Sequence, residues 1–307
     1  MTEFFIVLQQ LIQLFAIFAI GAYAMHKQIL TEAALPYLSG LITKILLPMF
    51  IFVNTVTAGT FSKLVEFLPM FYLTAAIYIS LAVIFFCLSK FIPGNFEHKR
   101  VFQGLFVFSN VGFIGIPIFF NLYPQDGPLY MAWISVVDQF LLWTYGVYLT
   151  SGVKEFQFRK MLNPSTYVLG LALLILLLDI KLPVLLQKIL FSLGGTATPL
   201  CMIYMGAMFY LVKPWRILKS WEIYLGITSK MIILPLIIGL LVSTLAIPES
   251  MKGMLLILVS LPPMIVIPMI VPEQSKEKSF AIGGTLIGIT ASLFTIPLVL
   301  LIFSFIR

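Results

Sequence analysis

The stretch Ser109-Asn110-Val111-Gly112-Phe113-Ile114-Gly115-Ile116-Pro117 places a polar pair, two glycines and a proline inside an otherwise apolar run. Pro117 lacks an N–H and its ring clashes with the carbonyl four residues back, while Gly112 and Gly115 form helix poorly. Pro262, Pro263 and Pro268 interrupt a second apolar run in the same way. Each run is therefore expected to be a broken helix whose freed backbone groups line a cavity or find partners. The start of a half-helix offers N–H donors and the positive end of its dipole, which suits an anion. Asn110 can donate to a carboxylate through its amide or lend its carbonyl to a cation. One such kink would be a common packing device; two at matching places argue for a binding site.

Three ionisable residues, Lys44, Asp138 and Lys230, fall within apolar runs. A charge at the middle of a membrane helix costs roughly 2.5–3.5 kcal/mol on insertion scales, which makes each a functional candidate. Asp138 must pair with a lysine, hold a proton or meet a cation, with Ser109 and Asn110 able to supply further oxygens to sodium. Two lysines against one aspartate leave a positive charge that a bound carboxylate would neutralise. Lys230 has the least defined role, capping backbone carbonyls being its alternative. Gly284 and Gly288, four residues apart, read as a close-packing face. His26 and His98 are expected in loops and make no cluster. No Ser-His-Asp set, HExxH or phosphate-cradling loop is present, so no catalytic residue, metal site, cofactor or enzyme activity is expected.

The elements that must position these residues follow from composition. Of the 307 residues, 61% are apolar and 10% charged, against roughly 25% charged in a soluble domain. Apolar runs at 4–25, 34–57, 66–89, 100–122, 127–151, 163–180, 184–211, 219–246, 251–272 and 279–306 each approach the roughly 20 residues that a bilayer demands. An all-α polytopic membrane protein of ten helices is expected, and a soluble enzyme or nucleic-acid-binding module is excluded. The first run is too long for a signal-peptide core and is read as a retained helix. Cys87 and Cys201 lie within apolar runs and imply no disulfide. Loops on the face away from the N-terminus carry twelve Lys and Arg, against five on the other. The positive-inside bias then puts both termini outside the cytoplasm.

Pro199, Ser260, Pro268 and Thr295 each lie 151 residues beyond Pro48, Ser109, Pro117 and Thr144. The offset relates helix two to seven, four to nine and five to ten. Five helices per half is an odd number, so the second half enters from the opposite side, an inverted repeat. The expected organisation is a first repeat over 1–151, a cytoplasmic linker over 152–162 and a second repeat over 163–307.

On these residues the chain resembles the auxin efflux carrier family of secondary transporters, in its compact bacterial form, which includes malate and malonate permeases. The Ser109–Pro117 motif carries the resemblance, with Leu47-Pro48, Lys230 followed by Leu234-Pro235, and Thr295-Ile296-Pro297. The resemblance implies a five-plus-five inverted repeat with broken crossover helices four and nine, similar to bile-acid sodium symporters. It also implies a dimerising scaffold of helices one, two, six and seven, a transport domain of the other six, and elevator-type alternating access. Helix nine departs from the pattern: Leu261-Pro262-Pro263 leaves nothing to mirror Asn110. The resulting expectation is a cell-membrane, homodimeric carrier of a small organic anion such as malate or malonate, dimerising through helices two and seven. Asn110, Gly112, Gly115, Pro117, Pro262, Pro263 and Pro268 would form the substrate site, with Lys44 attracting the anion. Asp138, Ser109 and Asn110 would take a coupling proton or sodium ion. Rival expectations are an uncoupled, auxin-like aromatic carboxylate exporter and a membrane sensor that binds its ligand without moving it.

Overall fold

The computed structural model describes residues 2–57, 60–151, 164–212, 219–272 and 274–306. The expected linker 152–162, with Lys154, Arg159 and Lys160, lies outside the described residues, as do Lys213, Arg216 and Arg307. The first half contains α1 (Thr2–His26), α2 (Leu35–Leu41), α3 (Leu47–Val56), α4 (Phe61–Glu66), α5 (Pro69–Ser89), α6 (Phe96–Val107), α7 (Ile116–Leu122), α8 (Gly127–Leu141) and α9 (Val147–Thr150). The second half contains α10 (Pro164–Leu177), α11 (Val184–Gly195), α12 (Ala197–Val212), α13 (Trp221–Thr228) and α14 (Leu234–Ser243). It ends with α15 (Glu249–Ser260), α16 (Val266–Ile270) and α17 (Lys278–Ile306).

Among the described residues, six helices are long and apolar enough to cross a membrane: Phe4–His26, Glu32–Val56, Pro69–Ser89, Val184–Leu211, Trp221–Ser243 and Lys278–Ser304. The runs expected at 100–122 and 251–272 fall short of that length because each is cut in two, and α10 has only 14 residues. Large apolar side chains such as Phe5, Ile12, Ile79, Val83, Leu185 and Phe294 stand exposed on these helices. A soluble protein of this size would not leave so much apolar surface open to water; a bilayer accepts it.

Three prolines shape their helices alike, whereas Pro297 sits inside α17 without such a turn and the π-turn Leu142–Gly146 precedes no proline. Wide π-turns at Ile42–Leu46, Val111–Gly115 and Ser229–Ile233 each precede a Leu-Pro or Ile-Pro pair, Leu47-Pro48, Ile116-Pro117 and Leu234-Pro235. Proline brings no N–H and crowds the carbonyl four residues back. Widening the preceding turn to an i→i+5 spacing relieves that crowding without ending the helix. Lys44 and Lys230 both sit on such turns.

Helix α1 lies close along α12. A side-chain carbon on Gly206 would stand 1.9 Å from the Phe18 carbonyl oxygen, and one on Gly21 would stand 2.1 Å from that of Ile203. Only hydrogen fits at these two positions, so glycine lets the two backbones touch.

Candidate functional site

Helix α6 ends at Val107, and Phe108 turns extended, with ψ 126°. The chain re-enters helical form only at Val111. The break therefore lies at residues 108–110, upstream of Gly112 and Pro117, which corrects the expectation that Pro117 makes it. Pro117 sits instead in the first turn of α7, and the π-turn Val111–Gly115 absorbs its clash. On the other side, α15 ends at Ser260 and α16 begins at Val266, so Pro262 and Pro263 occupy the break itself. Pro268 is buried within the short α16.

The two breaks meet. Asn110 donates its backbone N–H to the Pro262 carbonyl at 2.9 Å, and Met264 donates to the Phe108 carbonyl at 3.2 Å. Ser109 and Pro263 form an antiparallel bridge. The freed backbone groups thus satisfy one another in the buried interior, where no solvent offers a partner. Small residues permit this approach. A side-chain carbon on Gly288 would stand 2.4 Å from the Pro263 ring, and one on Gly115 would stand 2.9 Å from Leu261. Gly288, read from sequence as packing, packs specifically against the second break. Gly112 is different: a side-chain carbon there would meet only Leu47, at 4.0 Å.

The half-helix starts are unequal as anion binders. Helix α16 has five residues and the Met264 N–H before it already serves Phe108, so the expected grip from helix nine is not built. At the first break, Asn110 holds the N-cap position of the Val111 turn. A capping Asn normally accepts a backbone N–H through its side-chain oxygen. Here the Asn110 backbone oxygen takes the Ile114 and Gly115 N–H groups, and the side chain makes no capping bond. Both Nδ2 and Oδ1 of Asn110 are buried without a hydrogen-bond partner. Buried polar groups are almost always paired, so this amide has donor and acceptor capacity left for a ligand.

Beside it lies a buried polar chain. Lys230, fully buried, donates from Nζ to Ser109 Oγ at 2.7 Å. Ser109 donates its own proton to the Leu258 carbonyl at 2.8 Å. Lys230 therefore binds a hydroxyl and not the backbone carbonyls its alternative reading expected. Asp138 is buried and accepts from the Tyr78 hydroxyl and from Gln139 Nε2, the latter at 3.2 Å. Lys230 and Asp138 lie within electrostatic reach of one another. Tyr78 and Gln139 escaped the sequence reading. A tyrosine hydroxyl inside an apolar run needs a partner when buried, and that signal could have flagged Tyr78.

Lys44 is placed differently from the other two charges. Its side chain is exposed, which corrects the expectation of three buried charges and removes the surplus buried positive charge. It lines a cleft of about 590 Å³ with Glu32, Thr43, Tyr204, Met269 and Lys278. Lys278 donates there to the Pro268 and Val271 carbonyls at 2.7 and 3.0 Å. Leu47, one turn beyond Lys44, is the residue facing Gly112. His98 also differs from expectation. It lies in the first turn of α6 and bridges Glu277 at 2.6 Å and Glu222 at 3.5 Å, joining the starts of α6, α13 and α17. The two contacts use opposite ring nitrogens, a clasp and not a chelate.

No curated protein matches the chain. The family model described as membrane transport protein matches residues 6–157 and 149–302. Those matches run nearly from end to end and take in both breaks and all three candidate charges, and the chain accordingly belongs to the membrane transport protein family, the auxin efflux carrier family that its motifs resemble.

Proposed function

We propose that this membrane transport protein is a secondary carrier of a small organic anion, a carboxylate such as malate or malonate, bound where the two broken helices cross. The observation that carries the reading is the Asn110 side-chain amide, buried with both polar atoms unpartnered at the crossing. A carboxylate oxygen accepting from Nδ2 would relieve that deficit, and the Lys230 ammonium stands beside it on Ser109. The exposed Lys44 would draw the anion into the cleft, a steering role suited to a charge that is not buried.

In this reading the chain forms ten spans in two inverted five-helix repeats, with both termini outside the cytoplasm of a cell membrane. The close α1–α12 packing supports a rigid scaffold against which the crossing region moves as an elevator. The exposed apolar side chains Tyr37, Leu41 and Ile45 in helix two and the exposed apolar face of α11 in helix seven leave room for a dimer contact through those two helices. Asp138 would take up the coupling proton or cation, because binding an anion beside an ionised carboxylate adds an uncompensated charge.

A second reading has one observation of its own. Asp138 is already satisfied by Tyr78 and Gln139, which an uncoupled carboxylate exporter would also display. Uptake of labelled malate and malonate into proteoliposomes, with and without a pH or sodium gradient, separates the two. Accumulation above equilibrium under a gradient supports coupling. Equilibration alone supports the exporter, and no uptake of either acid under any gradient contradicts the carboxylate reading.

A further inference from the structure

We propose that Lys230 is a built-in cation that takes the place of sodium at the crossing, so that the anion is bound and carried without sodium. The substrate half of this statement rests on the carrier reading above; the cation half does not. Ser109 Oγ, Asn110 Oδ1 and the Asp138 carboxylate are hard oxygens of the kind that hold a small cation. The Lys230 ammonium is already on the first of them, at 2.7 Å, the length of a charge-assisted hydrogen bond. Because Ser109 gives its own proton to the Leu258 carbonyl, its hydroxyl oxygen faces the ammonium as an acceptor. A sodium ion sharing that oxygen would stand within about 5 Å of the ammonium, in a medium that screens like charges poorly.

The way Lys230 is held supports a fixed role. It lies on the π-turn Ser229–Ile233 ahead of Leu234-Pro235, and its complete burial prevents the ammonium from reaching an aqueous surface. Its bond to Ser109 ties that turn to the first break. The titratable groups that face Asp138 are Tyr78 from α5 and Lys230 from this turn, so a positive charge on the lysine would offset a negative one on the carboxylate. An ammonium carries three donors, and the bond to Ser109 uses one. A tethered cation of this kind can serve Asp138 and an incoming carboxylate without itself being transported.

The test uses the full chain in detergent, with Lys230→Ala and Lys230→Gln, the latter keeping a hydrogen-bond donor without charge. Thermal stability is measured without any anion in sodium, methylammonium and choline chloride at equal ionic strength. The parent melts at the same temperature in all three salts. The Ala variant melts lower in choline and regains stability in sodium or methylammonium, small cations that fit the vacated place. Stabilisation of the parent by sodium over choline overturns the proposal, as does an Ala variant indifferent to the cation. Where Lys230→Ala fails to purify, Lys230→Gln reads the same dependence, and a Gln variant matching the parent in every salt reduces Lys230 to a structural tie. Binding of labelled malonate then completes the test. Parent affinity is equal in sodium and choline, and Lys230→Gln in choline loses about ten- to hundredfold. Malonate binding by the parent only in sodium overturns the proposal. No malonate binding at all, with the melting pattern intact, leaves the tethered cation standing and removes the carboxylate reading.

Discussion

The first break, Phe108 to Asn110, and the second, Leu261 to Ile265, face the same problem of non-helical backbone buried in the interior and solve it with opposite residues. At the first, the chain keeps its donors and supplies partners, with the Asn110 N–H on Pro262 and the Ser109 hydroxyl on Leu258. At the second, two consecutive prolines remove two donors, Leu261 bonds back to Ile257 on its own helix, and Met264 finds its acceptor across the crossing at Phe108. Ser109 and Ser260, related by the 151-residue offset, follow the same division. Ser260 bonds back to Leu256 on its own helix, whereas Ser109 crosses to the partner break and receives Lys230. Where Asn110 leaves an unpartnered amide, Leu261 is fully buried against Gly115. Two helices can therefore break symmetrically while the chemistry gathers on one of them. The second break is a surface against which the first is held.

The comparison can be broken at four points. Asp138→Asn, in the polar chain behind the first break, should retain exchange of labelled malate but lose gradient-driven accumulation entirely; accumulation equal to the parent would mean that Asp138 does not take up the coupling ion. Asn110→Leu, which makes the first break resemble the second, should weaken carboxylate affinity about ten- to hundredfold by equilibrium binding. Its melting temperature should not fall, because removing an unpaired buried amide relieves about 1–3 kcal/mol of desolvation cost. Leu261→Ala should do the reverse, losing about 2–5 kcal/mol of stability to a cavity while the folded fraction binds with parent affinity. A shared loss of affinity in both variants would mean the breaks contribute alike. Smallest is Lys44→Ala, which should lower affinity only a few-fold at low salt and scarcely at high salt, as screening removes the pull of an exposed charge.

The two lysines show how much of this was legible. The sequence places Lys44 and Lys230 alike, each in an apolar run shortly before a Leu-Pro pair. Both do lie on π-turns, yet one is exposed in the cleft and the other fully buried. Helices apolar on every side carry no amphipathic signal, so the run gives depth but not facing. The breaks were readable because proline and glycine act on their own backbone. Their precise residues were less so, since a π-turn lets Pro117 remain helical and moves the break to Ser109-Asn110. Tyr78 against Asp138, and His98 between Glu222 and Glu277, join side chains 60 to 179 residues apart. Such pairs depend on how whole helices pack, which no local spacing encodes.

In the proposed carrier the Asn110 amide at the crossing receives the anion's carboxylate. Determining the structure of the protein with bound malonate tests it most directly. A carboxylate oxygen is expected within hydrogen-bonding distance of Asn110 Nδ2, between the breaks at 108–110 and 261–265. Malonate seated only in the Lys44 cleft, with the Asn110 side chain still unpartnered, would contradict it.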